Sequence, residues 1–138
     1  MVIDNSALVA VLLKEPGADL FAAAIDAAEE RLLSAARFVE TAMVIEGRFG
    51  PAAGPALDRL IANAPIAIVP VDRDQAQRAR DGFRRFGRGR HPAALNFGDC
   101  FAYALAASAK MPLLFKGDEF ARTDIPAVDL TPYRPVRP

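Results

Sequence analysis

Asp4 closes the opening run Met-Val-Ile of this 138-residue chain, and two further aspartates, Asp99 and Asp118, recur where a parallel α/β sheet would bring them close to it. A fourth acid, Glu40, stands among the apolar side chains Phe38, Val39, Ala42 and Met43. Converging carboxylates repel: two of them about 4 Å apart cost roughly 4 kcal/mol at an effective dielectric of 20. Three or four ionised together must therefore take up protons or gather round a cation. His91 is the only histidine and Cys100 the only cysteine, which leaves no imidazole or thiolate set for structural zinc. An all-oxygen site selects Mg²⁺ or Mn²⁺. Such an ion with open positions serves phosphate chemistry, because it polarises a phosphoryl oxygen and lowers the pKa of a bound water. No candidate nucleophile has a base beside it in the sequence, so direct attack by an activated water is the expected mechanism.

Each acid also has a plainer explanation. A solvated helix face would account for Glu40, although Glu46 lies six residues on and well round the helix, so one of the two should face something other than bulk water. Asp99 follows Asn96 in a first helical turn, where an aspartate complements the helix dipole for about 0.3–1 kcal/mol. Asp4 could end a strand and Asp118 make a turn. Their joint occurrence at one edge of one sheet is what sets them apart.

The elements that must position these groups are legible as punctuation. Met1 to Ile3 reads as a buried strand, Ser6 as the cap of a short helix through Leu13, and Pro16 as the first turn of a second helix with Leu20, Phe21, Ala24 and Ile25 on one face. Arg31 to Leu33 is a short strand; Ser34 caps a helix whose buried side is expected from Phe38, Ala42, Met43, Ile45 and Phe49. Leu57, Leu60 and Ile61 mark another helix, and Ile66 to Val71 is the clearest strand. Asp72 and Gln75 have the form of a capping box opening an arginine-rich helix to about Phe86. Asn96 caps an alanine-rich helix to about Lys110, Pro112 to Phe115 is a strand, and Ala127 to Leu130 is expected as a last edge strand. Strands separated by helices imply parallel pairing, and hence an α/β fold: a three-layer α/β/α sandwich with a central, mostly parallel sheet of four to five strands. In such sheets ligands bind outside the carboxyl ends of the strands, where the acids fall.

Length and a 52% hydrophobic composition suit one domain over residues 1–130, followed by a proline-rich tail over 131–138. Lysine plus arginine and aspartate plus glutamate both number 17, so any attraction to a polyanion must be local. The apolar run Ala7 to Leu13 is cut by Lys14 and Glu15, too short to span a bilayer and without the basic residues of a secretory signal. With a lone cysteine, this predicts a soluble cytoplasmic protein with no membrane partner.

Ile3-Asp4-Asn5-Ser6-Ala7-Leu8, the helix carrying Glu40, Leu95-Asn96-Phe97-Gly98-Asp99-Cys100, and Leu113-Leu114-Phe115-Lys116-Gly117-Asp118-Glu119-Phe120 together resemble PIN-domain ribonucleases, most closely the VapC-type toxins of bacterial toxin–antitoxin pairs. The resemblance runs from Met1 to about Leu130 and keeps the family's motif order. It implies a Mg²⁺-dependent endoribonuclease acting as the toxin of a type II pair, with Asp4, Glu40 and Asp99 as catalytic metal ligands and Ser6 orienting Asp4. Asn5 departs from the more usual threonine. The fourth carboxylate is assigned to Asp118, with Glu119 the alternative, since this branch commonly has aspartate immediately before the phenylalanine. A homodimer and a VapB-like antitoxin covering the acidic groove are implied as well.

Arg73, Arg78, Arg80, Arg84, Arg85, Arg88 and Arg90 concentrate positive charge ahead of Asp99. Arg84, Arg85, Arg88 and Arg90 are the candidate RNA contacts, with Phe83 or Phe86 as a stacking face; a solvated helix face is the alternative. Lys116 follows a strand end and could meet a phosphate or balance the acids. His91 reads as a surface loop residue and Cys100 as a packed one. Two other functions fit the same outline. A receiver-type signalling module would use Asp72 as phosphoacceptor, and a DNA-directed nuclease would share the metal geometry.

Overall fold

Four short strands carry the sheet: β1 (Val2–Ile3), β2 (Leu32–Ser34), β3 (Ala67–Val69) and β4 (Leu113–Leu114). In the computed structural model, which describes residues 1–137, they lie in the order β3-β2-β1-β4 with every neighbouring pair parallel. Val2 pairs with both Leu32 and Leu113, Ile3 with Leu114, and Leu33 with Ile68. Helices supply the crossovers that parallel pairing requires. They are α1 (Asn5–Leu12) and α2 (Ala18–Ala27), α3 (Ala35–Phe49) and α4 (Gly54–Asn63), then α5 (Arg73–Phe86) and α6 (Phe97–Ala109).

Successive strand residues point to opposite faces, and β1 makes this visible. Val2 joins Leu95, Leu105, Leu113 and Phe120 in a core closed by α5 and α6, whereas Ile3 joins Leu8, Ile25, Leu33 and Leu114 in a second core under α1 and α2. The expected three-layer sandwich is present. Burying a leucine such as Leu8, Leu33 or Leu114 completely stabilises the fold by about 1.5–3 kcal/mol. α3 starts at the carboxyl end of β2 and packs against both α1 and α6, tying the two layers together beside the strand ends.

Several elements differ from the sequence expectation for physical reasons. The first helix is capped by Asp4 rather than Ser6, since an Asp4 carboxylate oxygen accepts the Ser6 amide. α2 begins at Ala18, two residues past Pro16, after Gly17 turns the chain at φ +88°. β3 is shorter than Ile66–Val71 because Ile66 turns into the core and Val71 points to solvent. Ala127 makes only an isolated bridge to Leu113: the Leu113 amide donates to Pro126 O at 2.9 Å and Val128 N–H donates to Leu113 O at 3.0 Å. Asp129 then accepts the Thr131 amide and turns the chain, so no strand continues to Leu130. Thr131–Tyr133 form one 3₁₀ turn, with Tyr133 partly packed on the second core; Pro138, the end of the expected tail, lies outside the described residues.

The largest departure is the rotation of α3. Its buried residues are Arg37, Thr41 and Ile45, whereas Met43 and Phe49, expected inside, are exposed. The turn of the helix is set by Arg37, whose guanidinium points into the acidic site described below.

α5 and α6 pack closely because Gly82 faces the ring of Tyr103, which is itself held by hydrogen bonds from Arg85 and to Asp124. A Cβ at Gly82 would stand 2.6 Å from Tyr103 Cδ1. Gly82→Ala should therefore lower stability by about 1 kcal/mol, the overpacking cost of about 1–3 kcal/mol outweighing the helix-propensity gain of about 1 kcal/mol. Urea unfolding monitored by circular dichroism checks this.

Candidate active site

Asp4 is placed by β1, whose last residue precedes it, and by the Asp4 amide, which donates to Leu114 O at 2.9 Å. Its side chain is buried. One carboxylate oxygen accepts from Ser6 N–H at 3.1 Å and from Ser6 Oγ at 2.6 Å, and Ser6 Oγ accepts in turn from the Lys116 amide at 3.0 Å. Ser6 thus orients Asp4 and ties it to the segment after β4.

Asp99 is fixed differently. Asn96 caps α6 by accepting the Asp99 amide at 2.9 Å, and Asp99 Oδ2 accepts the Asn96 amide at 3.0 Å, a reciprocal capping box. The helix-capping explanation of Asp99 is therefore true, and its other oxygen is left pointing into the cleft. Glu40 projects from α3 one turn beyond Arg37 and lies over Gly98, where a Cβ would collide with both Glu40 carboxylate oxygens and with Arg37 Nη1. Glycine at 98 is what lets α3 approach the first turn of α6.

The centre of the cleft is Arg37. Its Nε and Nη2 donate to Asp4 Oδ1 at 2.8 and 2.7 Å, Nη2 also donates to Asp99 Oδ1 at 3.1 Å, and Nη1 donates to Glu40 Oε2. Arg37 is only 5% exposed and Asp4 only 1%. Burial alone would push the guanidinium pKa down, but the carboxylates of Asp4, Glu40 and Asp99 outweigh it and hold that pKa above its ordinary value. Burial pushes the Asp99 carboxyl up; the Asn96 amide and Arg37 pull it down, while Asp4 and Glu119 push it further up. Three acids against one guanidinium leave a net charge of −2 before Glu119 is counted. Removing one member of a buried ion pair typically costs about 3–5 kcal/mol, because the remaining charge stays desolvated.

Asp4, Asn5, Ser6, Arg37, Glu40, Asp99, Lys116 and Glu119 line one open cleft of about 480 Å³. Asp118 does not line it: that side chain is exposed, and Glu119 is the acid of this pair that reaches the cleft. Lys116 Nζ pairs with Glu15 at 3.3 Å on the rim. Asp72, which a receiver-type module would phosphorylate, is an exposed cap accepting the Gln75 amide at 2.8 Å, away from the cleft lining. Gln75 spends its side chain on Ser108 instead of closing the capping box. His91 is likewise local, its Nδ1 accepting the Ala93 amide.

The candidate RNA arginines divide. Arg84 and Arg90, with Arg80, line an apolar groove of about 600 Å³ between α5 and α6, together with Phe83, Phe97 and Phe101. Arg85 turns away, pairing with Asp124 and lying over the Phe86 ring; Arg88 is exposed outside the groove lining. Phe97 is 79% exposed, and the Arg90 guanidinium lies 5.1 Å from the Phe83 ring centre. Asp99 and Asn96 face the cleft while Phe97 and Cys100 face the groove, so the two are adjacent sides of one helical turn.

The sequence reading missed Arg37 and Phe97. For Arg37 the available signal was its spacing: residues 37, 41 and 45 recur every four positions on one helical face, with Glu40 a turn away. Phe97 was a bulky apolar residue at the first position of a capped helix, where nothing covers it.

The donor chemistry of the cleft, carboxylates without sulfur or imidazole, fits a hard divalent ion. The spacing does not yet do so: among the described residues no three His, Cys, Asp or Glu groups converge as a metal cage, because Arg37 stands between the acids. Among the same residues no helix is long and apolar enough to cross a membrane.

A family model described as PIN domain matches residues 1–126. The chain is 53% identical over 128 residues to "Ribonuclease VapC" of Mycolicibacterium smegmatis, covering 93% of this chain and 99% of that protein. It is 52% identical over 130 residues to "Ribonuclease VapC30" of Mycobacterium tuberculosis, covering 94% and 99%. The fold matches the crystal structure of Mycobacterium tuberculosis VapC20, described as a sarcin–ricin loop cleaving toxin, with a TM-score of 0.76 at 14% identity over 92% of this chain and 97% of that one.

Cys100 lines the groove next to Asp99, and burial holds its thiol in the protonated form. Burial and the neighbouring Asp99 carboxylate push its thiol up to about 11 from an ordinary 9.0, with Arg37 opposing. At pH 8 the native thiol should react with iodoacetamide about 100-fold more slowly than in urea, in proportion to its thiolate fraction. Intact-mass spectrometry over time checks this, and equal rates would contradict it.

Proposed function

The chain belongs to the PIN-domain family and, within it, to the VapC ribonucleases, and from that premise we propose that it is a divalent-metal-dependent endoribonuclease, the toxin of a type II toxin–antitoxin pair. The observation that carries the reading is that Asp4, Glu40 and Asp99 all reach the Arg37 guanidinium in one cleft at the carboxyl edge of a parallel sheet. Asp4, Glu40 and Asp99 would hold Mg²⁺ or Mn²⁺, with Glu119 rather than Asp118 as the fourth carboxylate. When bound, such an ion supplies Lewis acidity towards a phosphoryl oxygen and lowers the pKa of a water.

The chain's own residues do the rest. Ser6 and the Lys116 amide hold Asp4 in one rotamer, and the Asn96 box does the same for Asp99, so neither acid must reorganise when substrate arrives. Glu119, exposed on the rim, would take a proton from water as the water oxygen bonds to phosphorus, and the leaving ribose oxygen would take a proton from solvent as its P–O bond breaks. Arg80, Arg84 and Arg90 bind the phosphate backbone, and Phe97, Phe83 and Phe101 offer a face to an unstacked base. Arg84 is held only by an exposed pair with Asp81 at 3.2 Å, worth at most about 1 kcal/mol, so exchange for a phosphate is easy. Arg88 extends this basic edge; Arg85 belongs to the Asp124 pair instead.

The partners follow from the exposed stripe on α3. Met43 and Val44 line the acidic cleft, and exposed Val39 lies one turn from Met43. A VapB-like antitoxin segment laid on this stripe would cover the carboxylates and inhibit. A homodimer and a cytoplasmic location complete the proposal.

Asp4→Asn and Asp99→Asn should each abolish cleavage of single-stranded RNA in a folded protein, with DNA of the same sequence left intact by the wild type. Cleavage persisting in both variants would reject the assigned site, and equal cleavage of DNA would reject the ribonuclease reading. Mg²⁺ should raise the melting temperature of the wild type more than that of either variant. Phe97→Ala should weaken RNA binding by about 1–3 kcal/mol while leaving the melting temperature unchanged, and Arg84→Ala should reduce the slope of log K against log salt by about 0.7. Fluorescence anisotropy at several salt concentrations measures both.

A further inference from the structure

We propose that Arg37 is the resident cation of the acidic cleft, a positioning residue that keeps Asp4, Glu40 and Asp99 converged while no metal is bound and that withdraws when a divalent ion enters. The proposal rests on the metal-dependent reading of the site and adds to it a competitor supplied by the chain itself.

The geometry makes the two cations mutually exclusive. Arg37 Nη2 lies 2.7 Å from Asp4 Oδ1 and 3.1 Å from Asp99 Oδ1, so it stands at the point that bridges the two oxygens. An ion drawing on both oxygens would compete with Arg37 for their lone pairs and would face a like charge at close range. The other Asp4 oxygen is already committed to Ser6, and the other Asp99 oxygen to the Asn96 amide. Of the two aspartates, the oxygens left to a metal are therefore those that Arg37 now holds. Among the described residues every buried side-chain nitrogen and oxygen has a partner, so the arginine-bound state is complete and not a collapsed remnant.

Arg37 is also free to leave in a way that the acids are not. Asp4 and Asp99 are anchored by backbone amides at a strand end and a helix cap. The hydrogen bonds of the guanidinium all go to side chains, those of the three acids. Glu40, which it also holds, is on the open side of the cleft with its side chain 37% exposed, and that side is the exit. A guanidinium cannot lose its charge at any working pH, so displacement, not deprotonation, is the only route to metal loading.

Mn²⁺ binding to wild type and Arg37→Gln by isothermal titration calorimetry, with thermal melting in EDTA, tests this. Arg37→Gln is expected to bind Mn²⁺ at least tenfold more tightly than wild type, to melt lower than wild type in EDTA, and to recover most of that difference in saturating Mn²⁺. A variant that binds Mn²⁺ no more tightly than wild type, or melts unchanged in EDTA, would overturn the proposal while leaving the metal reading intact. No Mn²⁺ binding by either protein would overturn both. Wild-type protein gives a second readout that does not depend on the variant folding: the Arg37 Nε–H resonance should be protected from exchange in EDTA and lose that protection in step with added Mg²⁺. Protection that persists at saturating Mg²⁺ would also overturn the proposal.

Discussion

Like charges drawn out of water at the edge of a parallel sheet need a counter-charge of defined geometry, and here Arg37 supplies it with four hydrogen bonds to three acids. The rest of the molecule can be understood from this contact. β1 must end at Ile3 so that Asp4 falls at the carboxyl edge, α6 must begin with a reciprocal cap so that Asp99 leaves one oxygen free, and residue 98 must lack a Cβ so that Glu40 and Arg37 can close over the helix. α3 turns Val39 and Met43 outward and aims the Arg37 guanidinium inward. The cost of that rotation is the exposure of Val39 and Met43 beside the acids.

The first turn of α6 forms a wall of both the acidic cleft and the aromatic groove. Its cap fixes a carboxylate in the cleft, and the next residue but one before that carboxylate, Phe97, opens the aromatic groove rimmed by Arg80, Arg84 and Arg90. A strand of RNA laid along the groove would bring its phosphates to the cleft without any change in the core. The formal charge of the whole chain is zero, so the positive rim of the groove is a local arrangement of arginines and not a property of the molecule's overall field.

Most of this was legible because local chemistry dictated it. The strand-ending Asp4, the Asn96 cap, and the alternation of β-type and helical runs are short-range signals, and the sheet order follows once parallel crossovers are required. What was not legible depended on tertiary context. Arg37 sits three residues before Glu40, where a surface ion pair would explain both; only the approach of α1 and α6 makes it a buried centre. Met43 and Phe49 looked like core because apolar periodicity does not reveal when a charged residue will claim the inward face. Glu119 and Asp118 are neighbours in a turn, and which one reaches the cleft is decided by backbone direction after Gly117. The Ala127–Leu130 segment failed as a strand because Asp129 turns it away after a single bridge.

Arg37 and a divalent ion would compete for the same oxygens of Asp4 and Asp99. Diffraction from crystals soaked in Mn²⁺, with anomalous data collected near the manganese edge, tests it directly. A peak within coordinating distance of Asp4, Glu40 and Asp99, with the Arg37 guanidinium withdrawn from Asp4, is the predicted result; an occupied manganese site elsewhere, or one coexisting with the intact Arg37 contacts, would contradict it.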